Sequence, residues 1–236
     1  MSLFYSLFKT KEGNQTKISA ATILKTLQKT LTLPTLVKPK SDPFETLVIT
    51  IISQNTADRN TEAAFKSLSN CFKITPNALV EAQIGQIEEA IKTAGLYKSK
   101  AQAIKQASKI VLEKYRGTLQ PILTLPLEEA RKTLMEFPGV GPKTADVVLL
   151  FSAKQPTIPV DTHVNRVSKR LGLAPTKGDY EAVRKSLQSF YSPSDYLSVH
   201  LLLISHGRKT CKALHPLCKQ CSVNKFCPSN GLEDKL

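Results

Sequence analysis

The chain lacks any apolar run long enough to cross a bilayer; its longest, such as residues 201–204, fall far short of the roughly 20 residues a spanning helix needs. Its start, Met-Ser-Leu-Phe-Tyr, lacks the basic n-region and cleavage site of a secretory signal. An intracellular, reducing location is therefore expected. Cysteine is scarce until the end, where four of the five residues cluster. In a reducing compartment that clustering suggests a metal site rather than disulfides. Acids are few, 19 against 33 lysines and arginines, for a net charge of +14. There is no isolated basic tail, because the excess runs from Lys9 to Lys235, so the charge belongs to the folded body. Solubility alone needs much less charge. Such a field favours polyanions through phosphate contacts, which puts nucleic acid ahead of membrane as the partner.

Convincing strands are also missing. With 236 residues and 41% hydrophobic composition, the chain can bury a sizeable core in one or two domains. What it contains is a succession of short helical patterns. Residues 18–27 make the clearest early helix, and Pro34 and Pro39 mark a connector. Phe44, Leu47, Val48, Ile51 and Ile52 follow helical spacing, although their β-branched content leaves a strand open. After the polar break Ser53-Gln54-Asn55-Thr56-Ala57-Asp58, whose bland reading is a cap and turn, Ala64, Phe65, Leu68 and Phe72 continue a helix, with Cys71 expected to pack. Ile84, Ile87 and Ile91 form another, ending at Gly95. A further helix capped by Ser99 carries Ala103, Ile104, Ala107, Ile110 and Val111 and stops at Gly117. Residues 119–126 read as a connector, 179–191 as a helix, and 196–205 as another ended by His206-Gly207. An all-α protein is expected.

One stretch organises the rest. Leu127–Met135 has helical spacing, and Pro138 blocks its continuation. Gly139 and Gly141, around Val140, can take positive φ and let the backbone approach another molecule. Pro142 suits the first position of a new helix, with Lys143 and Thr144 next. The free amides of the turn and the new helix N-terminus favour an anion such as phosphate. Each part has a plainer reading: Pro-Gly-x-Gly is often only a turn, and a lysine is usually a solvated surface group. Asp161, in Val160-Asp161-Thr162-His163, precedes the stripe Val164, Val167 and Leu171, so it can serve simply as an N-cap. His163 and His200 read as packed or capping side chains rather than acid–base groups.

The ordered combination Pro-Gly-Val-Gly-x-Lys-Thr-Ala followed by Val-Asp-Thr-His resembles the helix-hairpin-helix element of DNA glycosylases of the endonuclease III family. The resemblance runs from about Ser41 to Cys227. It implies that Lys143 is the nucleophile and Asp161 the essential carboxylate. It implies further that Gly139, Val140, Gly141, Lys143 and Thr144 contact DNA. The family's loop glutamine, which fills the hole left by an extruded nucleotide, falls on Asn55 when Ser53 and Asp58 set the alignment, a departure that bears on opposite-base preference. Gly95-Leu96-Tyr97 resembles the second inserting loop, with Leu96 as the wedge that replaces lost stacking; the plainer alternative is that Leu96 packs after a glycine C-cap.

The end of the chain reads Cys211-x6-Cys218-x2-Cys221-x5-Cys227. Four thiolates this close can hold zinc or an iron–sulfur cluster, with Lys212, Lys219 and Lys225 offsetting their charge. Structural zinc more often uses two short C-x2-C knuckles, and one is present. The spacing is the family's [4Fe–4S] signature, and the resemblance decides for that cluster in a structural role. The family's cluster loop touches DNA phosphate; here residues 212–217 offer only Lys212 and His215 for that contact.

The resemblance implies two helical lobes: a bundle at 37–155 carrying the hairpin, and a lobe from 1–36 and 156–236 carrying Asp161 and the cluster loop 211–227. Double-stranded DNA with a damaged base or abasic site would lie in the cleft between them, bound by a monomer. The implied activity is bifunctional: a base excision repair glycosylase for oxidised pyrimidines of the thymine glycol type, and an abasic-site lyase. A neutral amine is required, and desolvation in an apolar cleft would lower the lysine pKa from about 10.4 towards the working range. Alternatives are a monofunctional mismatch or adenine glycosylase, disfavoured by Lys143 and by Ile49 where the adenine enzymes' glutamate would align, a non-catalytic hairpin module, and an electron-transfer protein.

Overall fold

Every regular element among residues 19–32 and 42–231, the portion described by the computed structural model, is helical. The connector prolines Pro34 and Pro39, and Ile18, lie outside the described residues. Helix α1 covers residues 19–30. It is followed by α2 (Pro43–Ser53), α3 (Asp58–Cys71), α4 (Pro76–Glu81), α5 (Ile84–Ala90), α6 (Tyr97–Tyr115), α7 (Gln120–Leu123), α8 (Leu127–Met135), α9 (Pro142–Ala153), α10 (Thr162–Arg170), α11 (Tyr180–Phe190) and α12 (Tyr196–Lys209). None of the described helices is long and apolar enough to cross a membrane.

The chain divides into two units, Val37–Gln155 and Met1–Leu36 with Pro156–Leu236. Each has its own core. In the first, Phe44, Leu47, Val48, Ile51 and Ile52 all point inward. Their spacing therefore makes α2 a helix rather than a strand, and Asp42 starts it by accepting the Phe44 amide at 2.8 Å, with Pro43 in the first turn. The second unit packs Ile23 and Leu27 of α1 with Val164, Val167, Val183, Leu187, Val199 and Leu202. Cys71 is exposed instead of packed: it is the last residue of α3, beyond the buried turn that ends at Leu68.

Two helix limits differ from the sequence reading. Helix α6 begins at Tyr97, with left-handed Leu96 as its N-cap; Ser99 turns its hydroxyl back to the Leu96 carbonyl at 2.9 Å. Helix α12 runs through Gly207 to Lys209. Gly207 is there for contact, not termination. A β-carbon on it would stand 3.0 Å from His163 Cβ and 3.1 Å from Val167 Cγ2, both on α10. Alanine would gain about 1 kcal/mol of helix propensity, yet overpacking costs about 1–3 kcal/mol and these neighbours are anchored to a backbone. Gly207→Ala should therefore destabilise the protein by about 1 kcal/mol, read as a lower midpoint in thermal melts.

Candidate active site

The hairpin is set by packing on both sides. Phe137, at the end of α8, is buried and stacks on Tyr115 with ring centroids 6.0 Å apart. Gly139 has φ +76°, and a β-carbon there would meet Ala103 Cβ of α6 at 2.9 Å. Its close approach is thus to the protein's own helix. Gly141 differs: it is extended at φ −96°, and a β-carbon would meet nothing within 4 Å. The open face lies there. The Val140 amide is used internally, donating to the Phe137 carbonyl at 3.0 Å, and the Val140 side chain is buried. No side chain caps the N-terminus of α9, in contrast to α10 and α11, which Asp161 and Asp179 cap. An anion outside the protein can therefore take the position a cap would fill. Lys143 is half-buried in that first turn.

Two polar contacts absent from the sequence reading hold this turn. Arg131 of α8 donates through Nε to Asp146 Oδ1 at 2.8 Å and through Nη2 to Asp146 Oδ2 at 3.3 Å. Both side chains are buried, and Arg131 also bonds Glu128 at 2.8 Å. The pair locks α8 to α9 across the hairpin. Gln54, after α2, donates to the Gly139 carbonyl at 2.8 Å and to Thr144 Oγ1 at 3.1 Å. Thr144 is buried, so its side chain faces this brace rather than outward.

Asn55 and Leu96 share a feature that composition hides. Both adopt left-handed backbone, φ 52° and 48°, and both are exposed, Leu96 to 63%. Leu96 does not pack against a neighbouring helix. A left-handed conformation costs a non-glycine residue about 1–2 kcal/mol, so surrounding structure must impose it.

Asp161 falls in the other unit, where it caps α10, accepting the Val164 amide on Oδ1 at 2.7 Å. The cap fixes the carboxylate, and Oδ2 has no partner among the described residues. His200 is buried with Nδ1 2.9 Å from the Pro159 carbonyl, and His163 Nδ1 lies 3.2 Å from Arg166 Nη2, consistent with packing roles.

Cys211, Cys218, Cys221 and Cys227 line one pocket that opens to solvent, and none is in a disulfide. Among the described residues no group of three or more His, Cys, Asp or Glu stands close enough to hold a single metal ion. Lys212, Lys219 and Lys225 are exposed. Arg170 of α10 brings a cation to the thiols: its Nη1 is 3.6 Å from Cys211 Sγ and also donates to the Lys212 carbonyl at 2.6 Å. Arg166 adds bonds to the Cys211 carbonyl at 3.1 and 3.0 Å. His206 Nε2 lies 3.7 Å from Cys221 Sγ, and burial pushes this imidazole down to about 4. Burial raises the thiol pKa values of Cys221 and Cys227, with neighbouring cysteines adding to the effect.

Residues 48–193 match the HhH-GPD superfamily of base excision DNA repair proteins. Endonuclease III of Sulfolobus acidocaldarius is 37% identical over 185 residues, 78% of this chain and 81% of that one. Endonuclease III of Escherichia coli K12 is 37% identical over 187 residues, 79% of this chain and 84% of that one. A solved structure of a trapped endonuclease III–DNA covalent intermediate superposes with a TM-score of 0.79 at 29% identity, covering 92% of this chain and 98% of its own. A non-covalent endonuclease III–DNA complex gives 0.78 at 29% identity, covering 93% and 99%. The chain belongs to the endonuclease III family within this repair superfamily, a class of DNA glycosylases with abasic-site lyase activity.

Proposed function

We propose that this chain removes oxidised pyrimidines of the thymine glycol type from duplex DNA and then cuts the strand through a lysine imine. The observation that carries the reading is the hairpin itself: an uncapped helix N-terminus beside an open Gly141, with Lys143 in the same turn. A stacked base is out of reach, so the nucleotide must be extruded. Phosphate binding at the amides of Gly141 and the first turn of α9 grips the backbone without reading sequence. Leu96 and Asn55, exposed on their loops, fill the space left in the stack.

Lys143, as the neutral amine, attacks the sugar C1′ through Nζ. The bond from C1′ to the base breaks, and the base leaves with a proton. As the C1′–O4′ bond breaks, O4′ takes up a proton and the nitrogen lone pair closes a protonated imine, whose positive charge acidifies the C2′ hydrogens. Removing one of these as a proton expels the 3′ phosphate by β-elimination. Asp161, held by its cap with Oδ2 available, stabilises positive charge on the sugar and assists the proton transfers. Asp161→Asn keeps a side-chain oxygen for the cap but loses the charge. It should slow base release roughly 10²-fold or more, with little change in melting temperature. The assay is strand cleavage and base release from an end-labelled duplex carrying one thymine glycol. Wild type should yield the β-elimination product; binding without base release would contradict the function.

The donor set of four thiols around one cavity fits a [4Fe–4S] cluster held by Cys211, Cys218, Cys221 and Cys227. When bound, the cluster supplies folding energy to a loop with little core of its own. Arg166 and Arg170 tie the Cys211 segment to α10 and offset thiolate charge. Cys218→Ser should lower iron content and visible absorbance and make residues near 211–227 sensitive to protease. Acting on chromosomal DNA, the protein would work as a monomer in cytoplasm and nucleoid, or in a nucleus.

A further inference from the structure

Lys100, on the first turn of α6, is 3% exposed. A buried ammonium needs its donors satisfied. Its Nζ donates to the Ile52 carbonyl at 2.8 Å, Thr56 Oγ1 at 2.7 Å and the Ala94 carbonyl at 2.9 Å. These acceptors are not incidental. Ile52 lies in the last turn of α2, and Ala94 ends the 3₁₀ turn Lys92–Ala94, so both carbonyls are helix-end groups that their own helices leave without an amide. A cation at the negative ends of two helices is favourable electrostatically as well. Thr56 closes the set, since its hydroxyl also contacts the Ala94 carbonyl and the Gln54 carbonyl.

The two segments joined in this way carry Asn55, between Gln54 and Thr56, and Leu96, two residues after Ala94. Both are exposed and held left-handed. Gln54 extends the brace to Gly139 and Thr144 of the hairpin. We propose that Lys100 is a positioning residue that fixes the Asn55 and Leu96 loops in one register, so that both enter the duplex together. The proposal rests on the repair function above. Without the ammonium, neither strained backbone has its shared anchor, and the two side chains lose their preset separation. Extrusion would then slow while the chemistry at Lys143 remains.

The test compares Lys100→Met, which keeps the apolar stem and removes the donors, with wild type. Two substrates separate the roles: a thymine glycol duplex, read as single-turnover base release, and a single-stranded oligonucleotide with a preformed abasic site, read as borohydride trapping. The single-stranded site needs no insertion. Lys100→Met should lose roughly 10²-fold on the duplex and stay within about twofold on the single strand. The fluorescence rise of 2-aminopurine placed opposite the lesion should fall in parallel. Equal losses on both substrates, or an unchanged duplex rate, would overturn the proposal. If Lys100→Met fails to fold, Thr56→Val decides: the same split in smaller measure supports the brace, and its absence overturns it. A wild type inactive on both substrates would instead overturn the repair function, and the brace with it.

Discussion

Lys143→Gln is expected to lower base release roughly 10³-fold or more and to reduce strand cleavage to background. The size follows from the part proposed for the amine: as the nucleophile it would form the covalent bond to the sugar, and without it no imine would exist to acidify C2′. The substitution should leave the fold intact. Lys143 is half-buried in the first turn of α9, and glutamine is a good helix former of similar reach. Duplex binding should persist, because the proposed phosphate grip uses backbone amides beside Gly141 together with the protein's net charge of +14. Gel-shift affinity and thermal melting, run beside the kinetics, separate lost chemistry from lost structure. A parallel fall in all three would show that Lys143 supports the hairpin rather than the reaction.

The largest loss of stability should come from Arg131→Met. Arg131 and Asp146 are both buried and paired through two bonds across α8 and α9. Removing the guanidinium leaves a carboxylate in the core with its main cation gone, which typically costs about 3–5 kcal/mol. For a protein of this size that is a fall in melting midpoint on the order of 10 °C. The pair itself is no great source of stability, because desolvating both charges offsets most of their attraction. Arg131→Met combined with Asp146→Leu should therefore recover most of the loss in a double-mutant cycle. Activity should not recover as fully: the pair also sets the angle at which α9 leaves the turn, and with it the placement of Lys143. Recovery of stability without activity would separate those two roles.

What the sequence made legible was repetitive or ordered. The apolar stripe Phe44 to Ile52 identifies a helix because five side chains agree on one face. The hairpin is legible because Pro138 and Pro142 restrict the backbone while Gly139 and Gly141 between them free it. The cysteines are legible through spacing alone, and the structure lines one cavity with them. What stayed hidden depends on long-range contacts. Lys100 looks like any of the other lysines until Ile52 and Ala94 are brought around it. Arg131 and Asp146, fifteen positions apart, meet only when the hairpin closes. Gln54 is one polar residue in a polar break until it reaches Gly139.

Glycine shows both outcomes. At Gly139 the sequence argument for positive φ holds, although the close neighbour is Ala103 rather than another molecule. Gly207 reads as a helix stop by local rules, yet α12 continues because α10 packs where its side chain would be. Local propensity gave way there to helix–helix contact.

The most direct measurement is reductive trapping. The protein is mixed with a duplex carrying one thymine glycol in the presence of borohydride, and the products are resolved on a denaturing gel. Wild type is expected to give a covalent protein–DNA adduct that is absent for Lys143→Gln. Base release without an adduct, undiminished in Lys143→Gln, would contradict it and point to a glycosylase that uses water in place of the lysine.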